Sequence, residues 1–211
     1  MAIIHPAELR PSKLEVLGAF LPTTHWYDGP RDPQPVAIGA YRFDDPAGQV
    51  GVETHLLRVG EGPILQVPLT YRGTPLPGAD DWLVTTMEHS VLGRRWVYDA
   101  CHDPVYASAL AAVILGRALQ AEELVEVDGR RQSRQPSVWV SASGVPEEAP
   151  PPLGELSVAV LDSNTVIDAV NIRLRVHHVL DLSAPVPDGP VLTGVWRSRP
   201  HPVLLASAQR A

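Results

Sequence analysis

The stretch MEHSVLGRRWVYDACHDP gathers Glu88, His89, Asp99, Cys101, His102 and Asp103, residue types that can hold zinc or exchange protons. Their spacing matches no recognised metal motif. A turn at a sheet edge followed by a helix cap accounts for the same residues, so no catalytic residue and no metal site is assigned. A second stretch, LDSNTVIDAVNIRLRV, sets a short polar turn, Ser163-Asn164-Thr165, between two apolar runs. Backbone amides of such a turn, helped by the Ser163 and Thr165 hydroxyls, can hold a phosphate. His177 and His178 are adjacent in a strand, so their imidazoles face opposite ways and serve structure better than a shared ion. No Gly-x-Ser-x-Gly elbow accompanies the serines and histidines.

Aromatic residues offer a different chemistry. Trp26 and Tyr27 stand in the Gly/Pro-rich segment TTHWYDGPRDPQP, where they either stack on a ligand or partner or plug the loop onto a sheet. With Trp82 and Trp96 they would build a concave aromatic floor, a candidate ligand or partner surface. In VETHLLRV, Glu53, His55 and Leu57 share one strand face and Val52, Thr54, Leu56 and Arg58 the other. Neither face is purely apolar, so one is expected to be wet or to meet a ligand.

The elements that must position these residues read as α+β with many short strands. Apolar spacing predicts a first helix over Pro11 to Leu21, carrying Lys13, the only lysine. Period-two runs follow at Pro35 to Phe43, Val50 to Val59, Ile64 to Arg72, Trp82 to Met87 and Arg95 to Tyr98, separated by turn signals, as an antiparallel meander. HDPVYASALAAVILGRAL predicts a buried helix with Asp103 as its cap, Pro104 in its first turn and Leu119 on its apolar face. EELVEVDGRR then reads as a turn, and Arg130 to Arg134 as a solvated basic connector. SVWVSAS is a strand, GVPEEAPPPLGE a stiff polar spacer. Four strands are expected after it: Leu156 to Leu161, Asn171 to Leu180, Val191 to Trp196 and Pro202 to Ala206.

Composition narrows the function class. The chain of 211 residues is 45% hydrophobic and 19% charged, enough for one large domain or two small ones. Its 16 glycines and 22 prolines favour turns and short strands over long helices. A formal charge of -7 argues against nucleic acid or an anionic membrane as partner, because both need clustered cations. Cys101 is the only cysteine, and the start Met1-Ala2-Ile3-Ile4-His5 shows no signal-peptide pattern. A cytoplasmic location is therefore expected. The apolar run Ala107 to Leu115 is too short to span a membrane.

In chain order, HWYDG after the first helix, WVYDACHDPVYASALAAVI closing the meander, and LDSNTVIDAVNIRLRV resemble the N-terminal part of maltokinases and related actinobacterial sugar kinases. The resemblance implies a cap subdomain over residues 1–130, a curved, cystatin-like antiparallel sheet packed on helices. It implies a second, kinase N-lobe-like antiparallel sheet over 131–211, whose Ser163-Asn164-Thr165 turn and Arg175 stand where the family binds nucleotide phosphates. It also sets this chain apart. The family's lysine on the strand after that turn is missing, Arg173 and Arg175 are bulkier substitutes, and Asp162 replaces an uncharged residue. Phosphoryl transfer further needs a base and metal ligands from a second lobe, and none follows before Ala211.

The expected role is a stand-alone, non-catalytic binding or regulatory module without cofactor. Its partner would be a protein, an enzyme of trehalose, maltose or α-glucan metabolism. The alternative is the ATP-binding half of a split sugar kinase, paired with an orphan C-lobe. An independent enzyme would have to use the Glu88, His89, Asp99 and His102 group.

Overall fold

Ser12 opens the first helix with a capping box: its hydroxyl accepts from the Glu15 amide, and the Glu15 carboxylate accepts from the Ser12 amide. The computed structural model describes residues 2–4, 7–127, 130–146 and 153–210. Its elements are β1 Ala2–Ile4, β2 Leu9–Arg10, α1 Lys13–Phe20, β3 Pro35–Phe43, β4 Val50–Val59, β5 Ile64–Arg72, β6 Leu83–His89, β7 Gly93–Asp99 and α2 Pro104–Ile114. They continue with β8 Glu123–Val127, β9 Arg130–Arg134, β10 Val138–Ala142, β11 Ser157–Leu161, β12 Asn164–Ala169, β13 Ile172–His177, β14 Val179–Leu180, β15 Val191–Trp196 and β16 Arg199–Arg210.

Three sheets result, and antiparallel pairing dominates. One runs β2-β6-β7-β5-β4-β3, with β14 pairing the free edge of β5 at Ile64 and Leu65. The second runs β10-β15-β16-β13-β12-β11, and a small third sheet, β1-β8-β9, contains the parallel pair β1–β8.

The first sheet has a core on each face because its strands alternate. Leu57, Leu65, Val67, Leu69 and Val97 turn one way and meet Val16, Leu17 and Leu21 of α1 and its following turn. Tyr41, Val52 and Leu56 turn the other way and join α2 and the second sheet, through Leu110, Ile114, Ile167, Leu174 and Leu205, in one continuous core. Residues on both sides of position 130 therefore bury the same apolar surface. Gly39 permits the join between sheets: a Cβ there would stand 2.7 Å from Val138 Cγ2. The Ser137 hydroxyl meanwhile bonds both the amide and the carbonyl of Ala40.

The expected meander is present, and β3, β4 and β5 have the expected bounds. Asp103 caps α2 as expected, accepting from the Val105 amide at 2.9 Å. Several expectations fail. α2 stops at Ile114, and Leu119 is 85% exposed, beyond the helix. The turn over EELVEVDGRR and the connector Arg130 to Arg134 are instead the two strands β8 and β9, register Glu123 to Arg134. Glu123 stands opposite Arg134 in that register and meets it at 3.7 Å, an opposite-charge pair that supports the pairing of so polar a segment. The strand β12 was hidden in the supposed polar turn. The run Asn171 to Leu180 is two strands, broken at His178. The middle of the spacer, 147–152, lies outside the described residues.

Candidate functional site

Two regions collect functional groups: a charged pocket on the α1 side of the first sheet, and the seam where the two large sheets meet. The pocket follows from alternation along β4, which puts Glu53 and His55 on the face that Leu57 shares with α1. Arg42 stands directly opposite Glu53 on β3. α1 begins at Lys13, so its apolar side covers the sheet only as far as that turn. Past it the face is open, as a cavity of about 460 Å³ whose lining includes Lys13, Arg42, Glu53, Tyr71 and Arg95.

Glu53 is the centre of the pocket. Its Oε2 accepts from Lys13 Nζ at 2.5 Å and its Oε1 from Arg42 Nη2 at 2.9 Å. His55 Nε2 lies 3.6 Å from Oε2 and hydrogen-bonds the Tyr71 hydroxyl at 3.0 Å. Lys13 also sits over the Tyr71 ring, 5.6 Å from its centroid. Burial works against the charge on Glu53, but the attraction of His55, Arg42 and Lys13 outweighs it and holds the carboxyl well below the usual carboxylate range. Burial pushes His55 down to about 4, despite the pull of Glu53. With His55 held neutral at neutral pH, the hydrogen bonds to Glu53 come from Lys13 and Arg42. Of the two mixed faces of VETHLLRV, this one borders the cavity through Glu53, although Glu53 and His55 are themselves buried. The role of the single lysine was missed, because Lys13 reaches Glu53 only through the docking of α1, forty positions earlier in the chain.

The seam holds most of the residues singled out for binding. The tight turn between β11 and β12 consists of Asp162 and Ser163, with Asp162 at φ 54°. Asn164 and Thr165 belong to β12 itself. Thr165 is buried, and its hydroxyl bonds His178 Nε2 at 2.8 Å. The Ser163 carbonyl accepts from the His178 amide. Arg173 is held by Asp168 at 2.5 and 3.1 Å. Arg175 shares the Arg173 face of β13, opposite Val166.

His178 is in turn clamped by the first sheet. Its Nδ1 meets the Gln66 carbonyl at 2.9 Å, and its ring stacks on Trp26 at 4.4 Å and 5°. The Gln66 side chain donates to the carbonyls of His177 and Leu205 and accepts from the Tyr41 hydroxyl. Burial lowers both histidines, His177 to about 4.

The four aromatics do not form one floor. Trp26, 7% exposed, packs with Val97 on the α1 face, and Trp96, the neighbour of Val97 on β7, points to the opposite face. Tyr27 bonds the Pro30 carbonyl within its own loop at 3.3 Å. Trp82 is half-exposed and stacks on His102 at 3.4 Å. The acid/base group is also divided. His89 pairs with Gly93 at the tip of the β6–β7 hairpin, whereas Asp99 lies at the far end of β7, roughly 20 Å away at ~3.3 Å per residue. Asp99 instead caps the turn at Cys101, and Glu88 pairs with exposed Arg94. Burial, then the charge of Asp99, pushes the Cys101 thiol well up, away from nucleophilic use. Among the described residues no three His, Cys, Asp or Glu side chains gather as a metal site, and no helix is long and apolar enough to cross a membrane.

Comparison with known proteins matches this geometry at the level of the first sheet. No curated protein matches the chain. The model of the maltokinase N-terminal cap domain does match, over residues 20–103, the span from the end of α1 through Trp26, Arg42, Glu53, Gln66 and Tyr71 to the cap residue Asp103. Residues 20–103, which build the meander, are thus similar to the maltokinase N-terminal cap domain.

Proposed function

We propose that the chain is a non-catalytic, maltokinase-related module, in which the cap and a kinase N-lobe-like sheet act together to bind or regulate a protein partner. The N-lobe-like reading is supported by strand order. β11, β12 and β13 are three sequential antiparallel neighbours followed by β16 and β15, and in protein kinases the phosphate-covering loop precedes a third strand that carries the lysine. The non-catalytic reading is carried by what stands at those places. The third strand holds arginines, Arg173 is already committed to Asp168, and the Thr165 hydroxyl turns inward to His178 rather than out to a phosphate. The partner implied by this reading is an enzyme of α-glucan or trehalose metabolism.

A second reading, the nucleotide-binding half of a split sugar kinase, is favoured by the same strand order together with Arg175, which has no carboxylate partner among the described residues. Calorimetry of the full chain with Mg-ATP separates the two. The module reading expects no binding tighter than about 1 mM, a free energy near -4 kcal/mol. A micromolar dissociation constant, lost on Arg175→Ala, would establish the split-kinase reading in its place.

A further inference from the structure

We propose that the pocket between the start of α1 and the first sheet is a binding site for a small oxyanion, a phosphate or carboxylate group, held by Lys13, Arg42 and Arg95. The inference rests on hydrogen-bond accounting at the pocket wall, and it is independent of the role proposed for the second sheet. Lys13 has three N–H donors and Arg42 five. One bond from each goes to Glu53, and their side chains remain 30% and 19% exposed toward the cavity. Arg95 donates to the Leu92 carbonyl, while its buried Nε has no partner. The three cations thus present more N–H groups than the protein satisfies.

Acceptors at the same wall are largely occupied. Asp45 takes the amides of Ala47, Gln49 and Val50. Glu53 holds Lys13 and Arg42, and Glu123, which also attracts Arg42, is met by Arg134 at 3.7 Å. Asp44 is exposed at the rim. Glu53 has a positional role: it fixes one edge of Lys13 and of Arg42 at the cavity wall and leaves their other donors for charge-assisted binding of an anion. Leu9 and Met87 add an apolar wall, and a volume of about 460 Å³ admits an organic molecule attached to that group.

The single lysine makes the test direct. Growth on ¹³C-labelled lysine gives the full chain a single Lys13 ¹³Cε signal and leaves all three ammonium donors in place. Inorganic phosphate and acetate are titrated separately at constant ionic strength. The expected result is a saturable shift of the Lys13 signal with at least one of them. Saturation by phosphate alone assigns a phosphoryl group, and saturation by acetate alone a carboxylate. Arg95→Gln, with its fold checked by near-ultraviolet dichroism, should raise the midpoint about tenfold, the effect of losing one charge-assisted contact. Arg42→Gln is the second variant. A Lys13 signal that drifts linearly with both anions, or saturation unchanged by Arg95→Gln, overturns the proposal.

Discussion

Asp103→Ala is expected to cost about 4–6 kcal/mol of folding stability. Asp103 is fully buried at the end of the matched segment and accepts four hydrogen bonds from three residues. Its Oδ1 accepts from Arg72 Nη2 at 2.6 Å and the Val105 amide at 2.9 Å, and its Oδ2 from Arg72 Nε at 2.7 Å and Thr70 Oγ1 at 2.8 Å. Removing one member of a buried ion pair costs about 3–5 kcal/mol because the other charge is left uncompensated. Loss of a helix N-cap adds about 1 kcal/mol. The total is a large fraction of the 5–15 kcal/mol that holds a typical domain folded. At about 2–4 °C per kcal/mol for a chain of this size, the melting midpoint should fall by about 10–20 °C. Thermal and urea unfolding followed by far-ultraviolet dichroism measure it. The companion variant Arg72→Met in the Asp103→Ala background should recover at least about 2 kcal/mol, because the stranded guanidinium is gone. A loss below about 2 kcal/mol, or a double variant no more stable than the single one, refutes the assigned role of the pair.

Other outcomes follow from the seam and the pocket. Gln66→Leu strands the Tyr41 hydroxyl and the carbonyls of His177 and Leu205, at about 1–3 kcal/mol per buried group; a urea midpoint within error of the parent would show that Gln66 does not join the sheets. Trp26→Ala removes the stack on His178 and should cost about 3–5 kcal/mol, read in the same melts, with a loss under about 1 kcal/mol contradicting its place in the core. Acid should weaken the fold. His55 and His177 are held down to about 4 in the folded chain, whereas unfolded histidine takes its proton near 6.5. Their stabilisation is thus complete above about 6.5 and lost as pH falls toward 4, His177 contributing less because it is partly exposed. Urea midpoints at pH 7.5 and 4.5 should differ accordingly, with a smaller difference in His55→Gln; equal midpoints in the parent would exclude buried neutral histidines.

Local pattern determined a good part of this molecule. Alternation and turn residues bounded β3, β4 and β5, because a half-buried strand between Gly/Pro turns is a local statement about period and breakers. The Asp103 cap was legible for the same reason: a capping side chain bonds an amide two residues on. The mixed face of Glu53 and His55 was legible as an anomaly, a polar pair where a core face should be apolar.

What closes around those residues was decided by tertiary structure. Lys13 meets Glu53, and Trp26 and Gln66 meet His178, across separations that no local period encodes. β8 and β9 are strands because each finds the other's backbone to pair with, Glu123 standing opposite Arg134, though their composition alone resembles a connector. The Ser163-Asn164-Thr165 run looked like one polar turn. Pairing of β12 with β11 and β13 draws Asn164 and Thr165 into the sheet and turns Thr165 inward, since a buried hydroxyl goes where a buried acceptor awaits it, here the ring of His178.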